Sequence, residues 1–305
     1  LLQTLAATPG KNSRNDNNFR NRDSFCDIMS SVEWEPSQAA RSQAARCLLI
    51  ACLLLVCSAP LAQAADEPPS KVTALASPLS MAPPADSLVI GFMGGFVSRD
   101  ASHHAEVRLL ASLREEYPSN VHFGMYENRS QREAYTMIFE HLDRNHDGQL
   151  SAEEKSQAHI LLFGHSWGAS AVVALARRLN HEGIPVALTV QVDSVAKPFH
   201  NDSVIPANVH QAVNFYQTRG WIHGRRKIVA ADPAFTQILG NFRYDYSAEP
   251  ATFHDYPWLA RHLMKGHIEI ESDPRVWSQV RTLLQSQLPP PANQNSGAQS
   301  LTASR

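Results

Sequence analysis

The chain has 305 residues, of which 43% are hydrophobic, and a formal net charge of −2. That length accommodates one large domain or two small ones, and the near-neutral balance gives a nucleic-acid partner no electrostatic footprint. The four cysteines, Cys26, Cys47, Cys52 and Cys57, all precede residue 58, so a chain shortened past them has no thiolate for attack, disulfides or metal binding.

Arg41 and Arg46 precede the apolar run "CLLIACLLLVC", and "SAPLAQAAD" follows with small residues at Ala62 and Ala64. A basic flank, a short apolar stretch and a small-residue site predict a secretory signal over 29–64, with Met29 as the start and cleavage near Ala64. An uncleaved membrane anchor is the competing reading of the same run. Residues 1–28 read as a leader outside the working protein, 65–87 as a Pro/Ser/Ala-rich linker, and 289–305 as a disordered tail. The span 88–288 is left for one packed domain of about 200 residues.

Within it the pattern alternates between two periods. "SLVIGFMGGF" is an apolar strand ending in glycines, and "ASHHAEVRLLASLREEY" has helical spacing at Val107, Leu110 and Leu113. "VHFGMYE" reads as a strand, "SQREAYTMIFEHL" as a helix and "HILLFGHS" as a strand. "GASAVVALARRLNHEG" then reads as a helix, "VALTVQVDSV" as a strand and "DPRVWSQVRTLLQSQL" as a final helix capped by Asp273. Continuous apolar strands alternating with helices predict an α/β fold with a mostly parallel central sheet and helices on both faces.

Between the second helix and the third strand, "DRNHDGQLSAEE" fits a twelve-residue calcium loop of the EF-hand type. It offers Asp143, Asn145, Asp147, the carbonyl of Gln149 and a bidentate Glu154, with Gly148 for the sharp turn and Leu150 as an anchor. Calcium takes six to eight hard oxygens, which this spacing can fold around one point. The segment leading out is under two helical turns and no partner loop exists, so the expected role of Ca2+ is a structural clip rather than a sensor.

"GHSWG", Gly164 to Gly168, is a G-x-S-x-G sequence between a buried strand and a helix. That context is what a nucleophile elbow requires: the glycines let strand and helix approach while Ser166 is exposed on a strained turn. Here the sequence resembles the α/β-hydrolase superfamily, and more narrowly its lipase- and esterase-like secreted serine hydrolases. The resemblance rests on "GHSWGAS", "VDSV", "IPANV", "AVNFYQ" and "GNFR" and spans Leu88 to about Leu288.

A serine hydroxyl needs a base, and the base needs an orienting group. The superfamily's order of serine, acid and histidine implies His267, in a loop shortly before the final helix, with His254 and His262 as alternatives. Asp193, at the end of its strand, is the favoured acid over Asp202 and Asp232. The amide of Trp167 and that of Phe96, or else Gly95, form the expected oxyanion hole. Aromatics Phe215, Tyr216 and Trp221 could line an acyl pocket, or simply be core.

The resulting expectation is a secreted or periplasmic enzyme cleaving a small ester or lipid substrate through an acyl-enzyme. It needs no organic cofactor and inserts stably into no membrane after signal cleavage. A thioesterase, amidase or acyltransferase would use the same triad, and an inactive calcium-dependent binding protein is the reading from another class.

Overall fold

Short apolar runs that stop at Gly, Ser or Asp build the strands of this protein. The computed structural model describes residues 86–117, 121–197, 200–247 and 263–291; the leader, signal segment, cysteines, most of the linker, His254, His262 and the tail from residue 292 lie outside them. Strands β1 (Ser87–Met93), β2 (Val121–Glu127), β3 (Ile160–His165), β4 (Val186–Val192), β6 (Val209–Tyr216) and β8 (Gln237–Arg243) form one sheet. It is parallel throughout, in the order β2-β1-β3-β4-β6-β8. The short strands β5 (Val204–Ile205) and β7 (Val229–Ala230) pair separately.

Every residue of β1, β3 and β4 is buried, as a sheet covered on both faces demands. Leu88, Ile90, Phe92, Ile160 and Leu162 pack beneath the helices α2 (Gln131–Leu142) and α4 (Trp167–His181). Val89, Leu161, Phe163, Leu188 and Val190 face the other way, against α1 (Ala105–Glu116) and α6 (Pro274–Ser286). Burying each such side chain stabilises the fold by about 1.5–3 kcal/mol, so the two apolar faces fix the sheet's register and its layers. The helix α3 (Ala152–Ser156) follows the acidic loop, and α5 (Lys265–Ser272) precedes α6. Among the described residues no helix is long and apolar enough to cross a membrane.

Two local expectations change. The inner face of α1 is Leu109, Leu110 and Leu113, with Glu106 also buried, while Val107 is only partly covered. His267 stands in α5 rather than in a loop, because "GHIEIES" buries its residues from Gly266 to Glu271 and can do so only with its backbone hydrogen bonds closed internally.

The strand order reverses between β1 and β3: from β1 the chain crosses to β2 at one edge, and from β3 it moves the other way to β4. Such a switch point opens a crevice at the carboxyl ends of the strands, where ligands bind in open α/β sheets.

Candidate active site

The residues that meet at this edge are the first ones beyond four neighbouring strands. Gly94 follows β1, Ser166 follows β3, Asp193 follows β4 and Gln217 follows β6. Parallel register aligns them, with Phe92 opposite Gly164, His165 opposite Val192, and Val192 opposite Phe215.

Ser166 has φ 57° and ψ −125°, a backbone conformation rarely occupied by residues with a side chain. The turn survives because the surroundings over-determine it: the Ser166 amide donates to the Val192 carbonyl at 2.9 Å, and Ser166 O accepts from Ser170 N at 3.2 Å. The two flanking glycines are required sterically. A Cβ on Gly164 would lie 2.6 Å from the Gly168 carbonyl carbon, and one on Gly168 would overlap the Phe92 carbonyl of β1.

Three residues far apart in sequence converge here. His267 Nε2 lies 2.8 Å from Ser166 Oγ, and His267 Nδ1 lies 2.6 Å from Asp193 Oδ2. All three are buried, at 8%, 2% and 0% exposure for Ser166, His267 and Asp193. An ionised carboxylate can only accept, so Nδ1 carries the proton and Nε2 is left to accept from the serine hydroxyl.

Asp193 itself sits at φ 44°. Its Oδ1 accepts from the amides of Gly224 (2.8 Å) and Gln217 (3.2 Å), and its Oδ2 from the Gln217 side-chain amide (2.9 Å) as well as from His267. Burial is the largest influence on its carboxyl and pushes the pKa up. The hydrogen bonds from His267, Gln217 and Gly224, with the charge of His267, more than offset it and hold the group below its ordinary value.

Gln217 and Gly224 are functional positions that sequence reasoning missed. A Cβ on Gly224 would stand 2.5 Å from Asp193 Cα, so only glycine lets that amide reach the carboxylate. Gly266, just before His267, is packed against the Gln217 side chain in the same way. The remaining acid candidates are occupied elsewhere. Asp202 is buried against Arg225 Nε (2.7 Å) and Ser194 Oγ (2.6 Å), and Asp232 accepts from the Ala234 amide at 2.9 Å. Phe215 is core, stacked on Phe242, whereas Trp221 is 76% exposed.

The loop after β1 runs against the serine, for a Cβ on Gly94 would be 3.1 Å from Ser166 Cβ. The rings of Phe96 and Trp167 meet edge to face, with centroids 5.4 Å apart. Asn128, buried, donates through Nδ2 to the Gly95 carbonyl. Because a trans peptide directs its C=O and N–H to opposite sides, holding that carbonyl aims the Phe96 N–H the other way. Trp167 is the first residue of α4, whose N-terminal amides have no intrahelical acceptor. A cavity of about 480 Å³ lies elsewhere, between α1 and β2, and no triad residue lines it.

The acidic loop precedes β3 at the opposite end of that strand. Asp143 accepts from the amides of Asp147 (3.2 Å) and Gly148 (3.0 Å), and Asp147 accepts from Gln149 N at 2.8 Å. Glu154 forms a capping box with Ser151 and also accepts from the Arg144 amide at 3.1 Å. Gly148 has φ 77°, and Leu150 packs on the core beneath α2 and α4. The donors are all oxygens, which fits Ca2+.

No protein-family model and no curated protein matches the chain. Among solved structures it is similar to RedJ, a thioesterase from the prodiginine biosynthetic pathway in Streptomyces coelicolor. One RedJ structure, with a PEG molecule bound in the active site, is 14% identical with a TM-score of 0.38, covering 75% of this chain and 99% of that chain. A second is 14% identical with a TM-score of 0.34, covering 75% and 97%.

Proposed function

We propose that the protein is a serine hydrolase that cleaves carboxylic esters through an acyl-enzyme on Ser166. The observation that carries this reading is the continuous chain of hydrogen bonds from Ser166 Oγ through His267 to Asp193. Ser166 Oγ attacks the ester carbonyl carbon as its proton passes to His267 Nε2. Asp193 stabilises the imidazolium so formed. The oxyanion is received by the amides of Trp167 and Phe96, helped by the N-terminus of α4. His267 then returns the proton to the leaving alcohol, and water, deprotonated by the same nitrogen, releases the acid.

Asp143, Asn145, Asp147, the Gln149 carbonyl and Glu154 would hold Ca2+, whose charge would offset the loop's carboxylates and fix the entry to β3. The signal-like segment before residue 65 supports action outside the cytosol, on a small ester or lipid.

The test is hydrolysis of a short and a long p-nitrophenyl ester, and of a matching thioester, by the full chain beside Ser166→Ala. Turnover and fluorophosphonate labelling that disappear in the variant are expected. A thioester strongly preferred over both esters would move the substrate class while keeping the triad. A wild type inert to all substrates and to the probe in saturating calcium would overturn the hydrolase reading.

A further inference from the structure

A second polar constellation lies beside the triad and takes no part in the proton chain. His104 precedes α1, Glu106 is in its first turn, Glu271 is one helical turn after His267 in α5, and His165 immediately precedes Ser166. None is more than 6% exposed. The donor atoms of His104, Glu106 and Glu271 all lie within 4.8 Å of one another, the one such set of three among the described residues. His104 Nδ1 contacts Glu271 Oε1. His165 Nδ1 lies 3.7 Å from Glu106 Oε1 and 3.8 Å from Glu271 Oε2.

Two features point to a bound cation. Glu106 Oε2 is buried with no hydrogen-bond partner, although buried polar atoms are nearly always satisfied. The His104 imidazole already contacts Glu271, which leaves Glu106, the second of two carboxylates standing together out of water, to be balanced by a cation or a proton. Arg108 on α1 is exposed and donates to the His103 carbonyl.

We propose that His104, Glu106 and Glu271 hold a Zn2+ ion, with His165 beside its fourth position. Carboxylate oxygens with imidazole nitrogens, few in number and closely set, suit four-coordinate zinc rather than calcium or magnesium, which take more ligands and only oxygen. A dication balances the two carboxylates and supplies Glu106 with the partner it lacks. The site is closed to solvent, so the ion is structural. It joins α1, the strand end that carries Ser166 and the helix that carries His267, whose ring lies 4.5 Å from that of His165. The inference stands apart from the hydrolase reading, since its readout is metal content.

The full chain, produced with Zn2+ and without a polyhistidine tag, is assayed for bound metal by plasma mass spectrometry and native mass spectrometry. About one zinc per chain is expected to survive gel filtration. It should be lost in Glu106→Gln and in His104→Gln, and retained in Ser166→Ala and in Asp147→Asn of the acidic loop. Where a variant does not fold, cobalt substitution of the wild type decides: the intense visible bands of four-coordinate Co2+ are expected. A folded wild type that retains no zinc and gives only the weak bands of hydrated Co2+ overturns the proposal, leaving the carboxylates to share a proton. Zinc retained unchanged in folded Glu106→Gln overturns it equally.

Discussion

Replacing Asn128 by alanine isolates what orientation of one peptide is worth to the reaction. The side chain touches neither Ser166 nor His267; it reaches the Gly95 carbonyl, and through the rigid peptide it sets the direction of the Phe96 amide. Gly95, at φ 49° with open space around its Cα, offers no steric resistance once that tether is cut. Removing an oxyanion donor outright costs about 10²–10³ in kcat, which is the ceiling. Asn128 acts one step away, so the expected loss is that of one hydrogen bond, about 0.5–1.5 kcal/mol. At about 1.36 kcal/mol per tenfold that is a roughly 2- to 13-fold fall in kcat. Steady-state kinetics on a p-nitrophenyl ester, with the fold checked by circular dichroism, would measure it. An unchanged kcat, or a loss confined to KM, would refute the argument that this peptide binds the transition state.

Four further outcomes follow from the same geometry. Gly168→Ala forces a Cβ into the Phe92 carbonyl, so the helix must lift from β1; a loss of about 1–3 kcal/mol or more in urea unfolding is expected, and a near-neutral change would contradict the packing. Asp193→Asn places an amide N–H against the His267 and Gln217 donors, enforces the wrong imidazole tautomer and should lower kcat by roughly 10⁴-fold. Because the native environment depresses the pKa of Asp193, its stabilisation is complete above the unfolded value near ~3.9 and is lost as pH falls through the lower folded value. Urea midpoints should therefore drop on acidification below about pH 5, and Asp193→Asn should flatten part of that slope. Chelating calcium should lower Tm while leaving kcat of the folded enzyme unchanged, since the whole of β3, about 20 Å at ~3.3 Å per residue, separates the loop from Ser166. Loss of kcat well below Tm would show tighter coupling.

Much of this architecture is legible in one dimension. The continuous apolar runs of β1, β3 and β4 are buried on both faces, and Asp273 caps α6 by accepting from the Arg275 amide at 2.8 Å. Such features depend on neighbours in sequence. Ser166, too, is signalled by the glycines within two positions of it, although the Val192 carbonyl holds its turn. The environment of His267 is of another kind, because "KGHIEIES" is buried against partners outside its own segment, among them Gln217 and Asp193, and its alternating apolar residues imitate a strand.

The groups that sequence reasoning missed share one property: each acts on a partner distant in sequence that the sheet brings close. Gln217 reaches Asp193 only because β4 and β6 end level, Gly224 only because its missing Cβ admits the approach, and Asn128 only because β2 ends beside β1. None carries a motif. Glu106 is concealed differently, since an acidic residue in the first turn of a helix ordinarily favours the macrodipole from a solvated position, and nothing in "HHAEVRLL" reveals that this turn faces inward. Its burial becomes intelligible only with Glu271 and the two histidines beside it. The elements that carry the triad are therefore tied together by polar groups as well as by the apolar core.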